Sequence, residues 1–199
     1  MADKTADKTL LEKVSAIFDN REVQTELEKI VEKYTAKPVV LELFKTIKLG
    51  SLKNLDQFKG AFFVLTNMIG DWAIKLLPKV KVTEVETEVD LVKLSVTELT
   101  DKDEAPLKEI HEAALSPKFG LEFCEPEDAL CLRAAYQEQP EGESLYMGMK
   151  SIVLGGYRGL FYVYRDGDVR WLGANFCGHP GNVWRGNEVF VFRRPRKVS

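Results

Sequence analysis

The feature that most constrains this chain is a hairpin signature near its C-terminus, Leu160-Phe161-Tyr162-Val163-Tyr164 and Val169-Arg170-Trp171-Leu172 around Arg165-Asp166-Gly167-Asp168. β-Branched and aromatic residues favour a pleated, half-buried surface. An Asp-Gly pair supplies the positive backbone angles that a tight hairpin loop demands. Strand alternation puts Tyr162 and Tyr164 on one face and Phe161 and Val163 on the other. Glu188-Val-Phe-Val-Phe-Arg reads as a third strand, with Pro180-Gly181 and Gly186-Asn187 bracketing the connection.

Ahead of this region the apolar spacing is helical. Leu10, Val14, Ile17 and Phe18 predict one helix and Val23, Leu27, Ile30, Val31 and Tyr34 a second, with Asp19 or Asn20 as its cap. Residues 1–8 are polar and expected to fray. A third helix is predicted from Pro38 through Leu41, Leu43, Phe44 and Ile47 to Gly50, and a fourth from Leu55 to Leu77, ended by Pro78. Lys79 to Thr100 is ambiguous: Val and Thr favour strands, while Val82, Val85, Val89, Val92, Val96 and Leu99 form a helical stripe. The extended reading is preferred, and it lines Glu84, Glu86, Glu88 and Asp90 along one face. Short helices are predicted within Asp101–Ser116 and over Glu127–Tyr136.

The fold class expected is therefore α+β, with a helical N-terminal half followed by a C-terminal antiparallel β-sheet packed on the apolar stretch Phe62 to Trp72. Three regions are distinguished, 1–78 helical, 79–156 mixed and 157–199 β, within what one continuous domain can hold. With 45% hydrophobic residues and a net charge of −3, the chain has the apolar content for a core and lacks the charge excess of a disordered one. No apolar run approaches the ~20 residues that span a bilayer, so no membrane partner is expected. MADKTADKTLLEK lacks a basic start followed by an apolar stretch, hence no secretory signal. Three cysteines, an odd number, point to a reducing compartment, by default the cytoplasm.

Charge is distributed unevenly. From Tyr157 onward seven Arg and one Lys face Asp166, Asp168 and Glu188, a net +5, which leaves −8 for residues 1–156. Nine of the twenty aromatic residues also lie in that last stretch. Arg158, Tyr162, Tyr164, Arg170, Arg185, Arg193 and Arg194 are accordingly the candidate binding residues. Guanidinium groups pair with carboxylates or phosphates, and exposed rings can stack on bases. The plainer explanation is that one aromatic face fills the core while the arginines meet the chain's own acidic portion.

Other candidates carry less. Cys124, Cys131, Cys177 and His179 are a valid zinc donor set, but Cys124 and Cys131 lack the short spacing of zinc sites. Cys177 with His179 could form a thiol nucleophile and base, although residues two apart on a strand are poorly placed for that contact. His111-Glu112 lacks the second histidine of a metalloprotease helix. Gly155-Gly156-Tyr157-Arg158-Gly159 leads into a strand rather than the helix a phosphate loop requires. No cofactor is expected. The function anticipated is a non-catalytic interaction or regulatory protein docking an acidic protein partner through the C-terminal Arg/aromatic surface. A module binding single-stranded nucleic acid by that surface, and a thiol enzyme centred on Cys177 and His179, are the alternatives.

Overall fold

The computed structural model describes residues 20–35, 39–51, 53–64, 67–179 and 182–195. The helix expected over Leu10 to Phe18, the Pro180-Gly181 punctuation and Arg196 lie outside them. Six short α-helices occur among the described residues: α1 (Arg21–Thr35), α2 (Leu55–Val64), α3 (Asp71–Leu76), α4 (Val96–Thr100), α5 (Leu107–Ala114) and α6 (Pro126–Ala135). The strands are β1 (Lys45–Leu49), β2 (Asn67–Ile69), β3 (Thr87–Ser95), β4 (Glu104–Pro106), β5 (Ser144–Met147), β6 (Ile152–Leu154), β7 (Tyr157–Asp166), β8 (Val169–Phe176), β9 (Val183–Arg185) and β10 (Val189–Arg194).

Eight strands make one sheet in the order β1-β3-β10-β5-β7-β8-β2, with β6 paired to β7; β4 and β9 form a separate ribbon. Most neighbours are antiparallel, but β10 with β5 and β2 with β8 are parallel. This overturns the expected helical N-terminal half and antiparallel C-terminal sheet. Helices are scattered along the chain, and the sheet, though mostly C-terminal, is mixed and takes β1, β2 and β3 from earlier sequence.

Two local patterns account for the difference. In Lys45-Thr-Ile-Lys-Leu the buried Ile47 and Leu49 alternate with exposed Thr46 and Lys48, so the segment from Pro38 to Gly50 holds a strand rather than a third helix. The expected helix from Leu55 to Leu77 is broken into α2, β2 and α3, because Asn67–Ile69 adds a parallel edge to β8. The ambiguous stretch before Thr100 uses both of its patterns: β3 runs to Ser95, and α4 follows at once. Of its acidic comb, Glu84, Glu86 and Glu88 are exposed, while Asp90 accepts from Thr46 and pairs with Arg194.

The helix packed across several strands is α6, behind β1, β7 and β8. Of the Phe62–Trp72 stretch, Phe62 is in the core, Asn67–Ile69 joins the sheet as β2 and Trp72 belongs to α3, which packs on β8. Ala129, Leu130, Cys131, Leu132 and Arg133 are buried along α6, so it is enclosed on all sides. Its polar ends are tied down. Glu127 accepts from the backbone N–H of Gly50 and of Thr83 and from the Thr83 hydroxyl. Arg133 donates to the Gln139 side chain and the Tyr136 carbonyl.

The C-terminal hairpin forms where the sequence placed it. Asp166 pairs with Val169, and Gly167, first of the two loop residues, has φ 56°. On the α6 side Phe161, Val163 and Leu172 are fully buried. The opposite face carries a ladder of rings. Trp171 stacks on Tyr164 at 5.8 Å and 9°, Tyr164 on Tyr162 at 5.1 Å, and Tyr146 on Phe190 at 5.5 Å; Tyr162 leans on Tyr146 at 5.5 Å. Tyr162 lies directly over Gly173, its cross-strand partner, where only a residue without a side chain leaves room for the ring.

Candidate functional site

The arginines of the C-terminal strands divide into two groups by what they touch. Arg193 donates Nε and Nη2 to the two oxygens of Asp128 at 2.6 and 2.7 Å, a bidentate pair that holds α6 to β10. Arg194 reaches the Leu41 carbonyl and Asp90. Arg170 donates to the Gln137 carbonyl, and Arg165 to those of Gln139 and Gly167. These side chains fasten the chain's own segments together. Arg158 and Arg185, by contrast, are exposed, and neither forms an ion pair among the described residues.

Tyr162 and Tyr164 are half-buried in the ring ladder, with their faces turned to neighbouring rings. Base-stacking platforms present ring faces outward. Here the ring faces rest on neighbouring rings, and Tyr162 with its hydroxyl lies across Gly173 of the adjacent strand.

Arg158 belongs to the wall of an open cleft of about 850 Å³ between α5 and the segment that follows β8. Lys108, His111 and Glu112 of α5 line one side; Arg158, Cys177, Gly178, His179 and Asn182 line the other; Phe123, Lys150 and Ser151 lie between them. Local bonding fixes the second wall. Cys177 N–H donates to the Arg158 carbonyl, Asn182 N–H to the His179 carbonyl, and Asn182 Nδ2 to the Phe176 carbonyl. The Arg158 side chain lies along the backbone of Gly178. On the first wall α5 starts at Pro106 with no side chain capping its first N–H groups.

Three cationic side chains, Lys108, Lys150 and Arg158, therefore meet one carboxylate, Glu112, which sits 3.8 Å from Lys108 one turn on. His111 adds no charge at neutral pH. Its ring stands edge-on to Phe123 at 4.8 Å, burial pushes its pKa down to about 4, and its Nε2 is enclosed without a hydrogen-bond partner.

Both members of the candidate catalytic pair line this cleft. Burial pushes the Cys177 thiol above its ordinary range, despite a hydrogen bond with Ser151 and the nearby Arg158 charge, so it is a thiol rather than a thiolate at neutral pH. The zinc candidates are dispersed. Cys124 is buried and its thiol donates to the Val191 carbonyl, Cys131 is enclosed in α6, and only Cys177 and His179 share a site. Among the described residues no group of three His, Cys, Asp or Glu side chains is placed to hold a metal ion. No helix among them is long and apolar enough to cross a membrane.

Comparison with family models, with curated proteins and with solved structures found no match. Of the cleft residues, the sequence singles out Arg158, Cys177, His179 and the pair His111-Glu112, and gives no sign of Lys108 and Lys150. Two isolated lysines carry no local signal, and only the pairing of β6 with β7 and the packing of α5 bring them to one hollow.

Proposed function

We propose that this chain is a non-catalytic interaction protein that docks an acidic protein partner, with Arg158 and the end of the C-terminal β region forming one wall of the contact. The observation that carries this reading is the charge of the cleft. Lys150 and Arg158 project into a concave surface with no ion-pair partner among the described residues, and only Glu112 opposes them. A concave surface lined by one sign of charge focuses the field on an oppositely charged ligand. The rest of the chain is acidic, so this attraction is local and selective.

Two alternatives have less support. Nucleic-acid binding by stacking needs free ring faces, and those of Tyr162, Tyr164 and Trp171 rest on each other. Thiol catalysis needs an activated sulfur, and burial favours the protonated form of Cys177. Cys124, Cys131 and Cys177 are free thiols, which fits a reducing compartment, and the cytoplasm is the location we infer.

The test is fluorescence anisotropy with a labelled oligoglutamate peptide and a labelled single-stranded oligonucleotide. The peptide is expected to bind, more weakly as salt rises, and Lys150→Glu with Arg158→Glu should lower its affinity at least about tenfold, or about 1.4 kcal/mol. Tighter binding of the oligonucleotide, or wild-type peptide binding by the double variant, would overturn the reading.

A further inference from the structure

The cleft does not end at Arg158. Arg158, Gly178, His179 and Asn182 also line an adjoining hollow of about 450 Å³, and that hollow shares Tyr157 and Phe176 with a narrow apolar slot. Trp72, Leu76, Leu154, Gly159, Ala174 and Asn175 complete the slot, whose interior of about 20 Å³ leaves its exposed rim as the contact surface. Its rim is unusual for a surface. Trp72 and Tyr157 both stand edge-on to Phe176, at 4.3 and 5.3 Å, yet are 43% and 63% exposed. Lys75 sits over the Trp72 ring at 4.0 Å, and no carboxylate lines either the slot or the hollow.

One continuous trough thus joins an aromatic slot to a cationic cleft. Large exposed aromatic side chains around a pocket are what binding hot spots use. Its course also restricts the shape of an occupant. Tyr157 and Arg158 are consecutive on β7, so their side chains leave opposite faces of the sheet, and the trough turns over the strand end between them. A straight helix cannot follow both arms; an extended segment can.

We infer that the partner docks as an extended peptide segment carrying one bulky apolar residue, packed against the exposed rings of Trp72 and Tyr157 at the rim of the slot, with acidic residues adjacent that reach Arg158, Lys150 and Lys108. This rests on the acidic-partner docking proposed above and specifies what that partner must contain. The apolar anchor supplies burial, and the flanking carboxylates fix direction and register.

The experiment is selection of a phage-displayed library of random linear peptides on the full chain, followed by titration of the enriched peptide in labelled form. The expected consensus has one Trp, Phe, Leu or Met beside two or more Asp or Glu. Replacing its apolar residue with Gly, or its acids with Gln, should each weaken binding about tenfold. Tyr157→Ala, at a highly exposed position, should weaken it similarly with an unchanged unfolding midpoint, and Lys150→Gln should reduce the salt dependence.

An acidic consensus with no apolar residue, or an affinity unmoved by Tyr157→Ala, overturns the anchor and leaves acidic docking standing. An apolar consensus without acids overturns both, as does the absence of any enriched sequence. A peptide that becomes helical when bound overturns the extended mode. Self-association of the chain that Tyr157→Ala abolishes would assign the trough to a second copy instead.

Discussion

Arg193 illustrates how a side chain that reads as a free binding residue can be a structural tie. Its guanidinium closes on Asp128, whose side chain is wholly buried. Burial pushes the Asp128 carboxyl above its ordinary range against the pull of the Arg193 hydrogen bonds, while those same bonds raise the Arg193 pKa. The two shifts differ in sign of benefit, and the burial of Asp128 decides: its ionised form costs stability as pH rises from the unfolded to the folded pKa. Arg193→Ala removes the compensating charge and is expected to cost about 3–5 kcal/mol near neutral pH. The deficit should shrink in mild acid, where Asp128 takes up a proton, and Asp128→Asn in the same background should recover part of it. Urea denaturation at both pH values checks this; a pH-independent deficit would contradict it. Gly173 makes a second case. A methyl group there would run into the Tyr162 ring, held by Tyr164 and Tyr146, so Gly173→Ala should cost about 1–3 kcal/mol and disturb the aromatic circular dichroism. Neither role was visible in the sequence, since each depends on a residue that the fold brings in from elsewhere.

At the scale of elements, what was legible is what short-range chemistry encodes. The β7–β8 hairpin follows from Asp166-Gly167 and β10 from the β-branched and aromatic run Val189–Phe192, and α6 lies where a helix is expected over Glu127–Tyr136. By contrast, β1 was hidden because Leu41, Phe44 and Ile47 fit a helical spacing as well as Ile47 and Leu49 fit a strand, and pairing with β3 breaks the tie. The junction of β3 and α4 has its own encoded signal, a capping box. The Ser95 hydroxyl accepts from Glu98 N–H, and the Glu98 carboxylate accepts from Ser95 in return. Ser95→Ala is expected to cost about 1 kcal/mol. The Glu98 pKa is lowered, first by the Ser95 side-chain hydrogen bond and then by the Ser95 backbone. A lowered carboxyl pKa gives stability that is present above the unfolded value and lost as pH falls through the folded one. The difference between Ser95→Ala and wild type should therefore be full at neutral pH and fade in acid, as thermal melts across that range will register.

For the whole molecule, chain order and spatial order disagree, and both the fold and the trough depend on that. The last strand, β10, lies between β3 and β5, antiparallel to one and parallel to the other. No local pattern encodes this insertion; it is selected by the burial of Phe190, Val191 and Phe192, all with no exposed surface, and by the Arg193 tie to α6. The same non-local pairing sets Arg158 opposite α5, which is why the cleft could be assembled only in three dimensions. It follows that truncation after Glu188 is not a test of partner binding. It removes three enclosed apolar side chains, each worth about 1.5–3 kcal/mol of burial, together with the ladder bonds on both flanks. Bared edges of β3 and β5 and an unpaired buried Asp128 add to the loss. The total is comparable with the 5–15 kcal/mol by which a typical domain is stable. The truncated chain is therefore expected to lose cooperative unfolding altogether, read as a broad urea transition and poorly dispersed amide resonances. A sharp transition in that chain would mean that β10, an interior strand of the sheet, is dispensable to the fold.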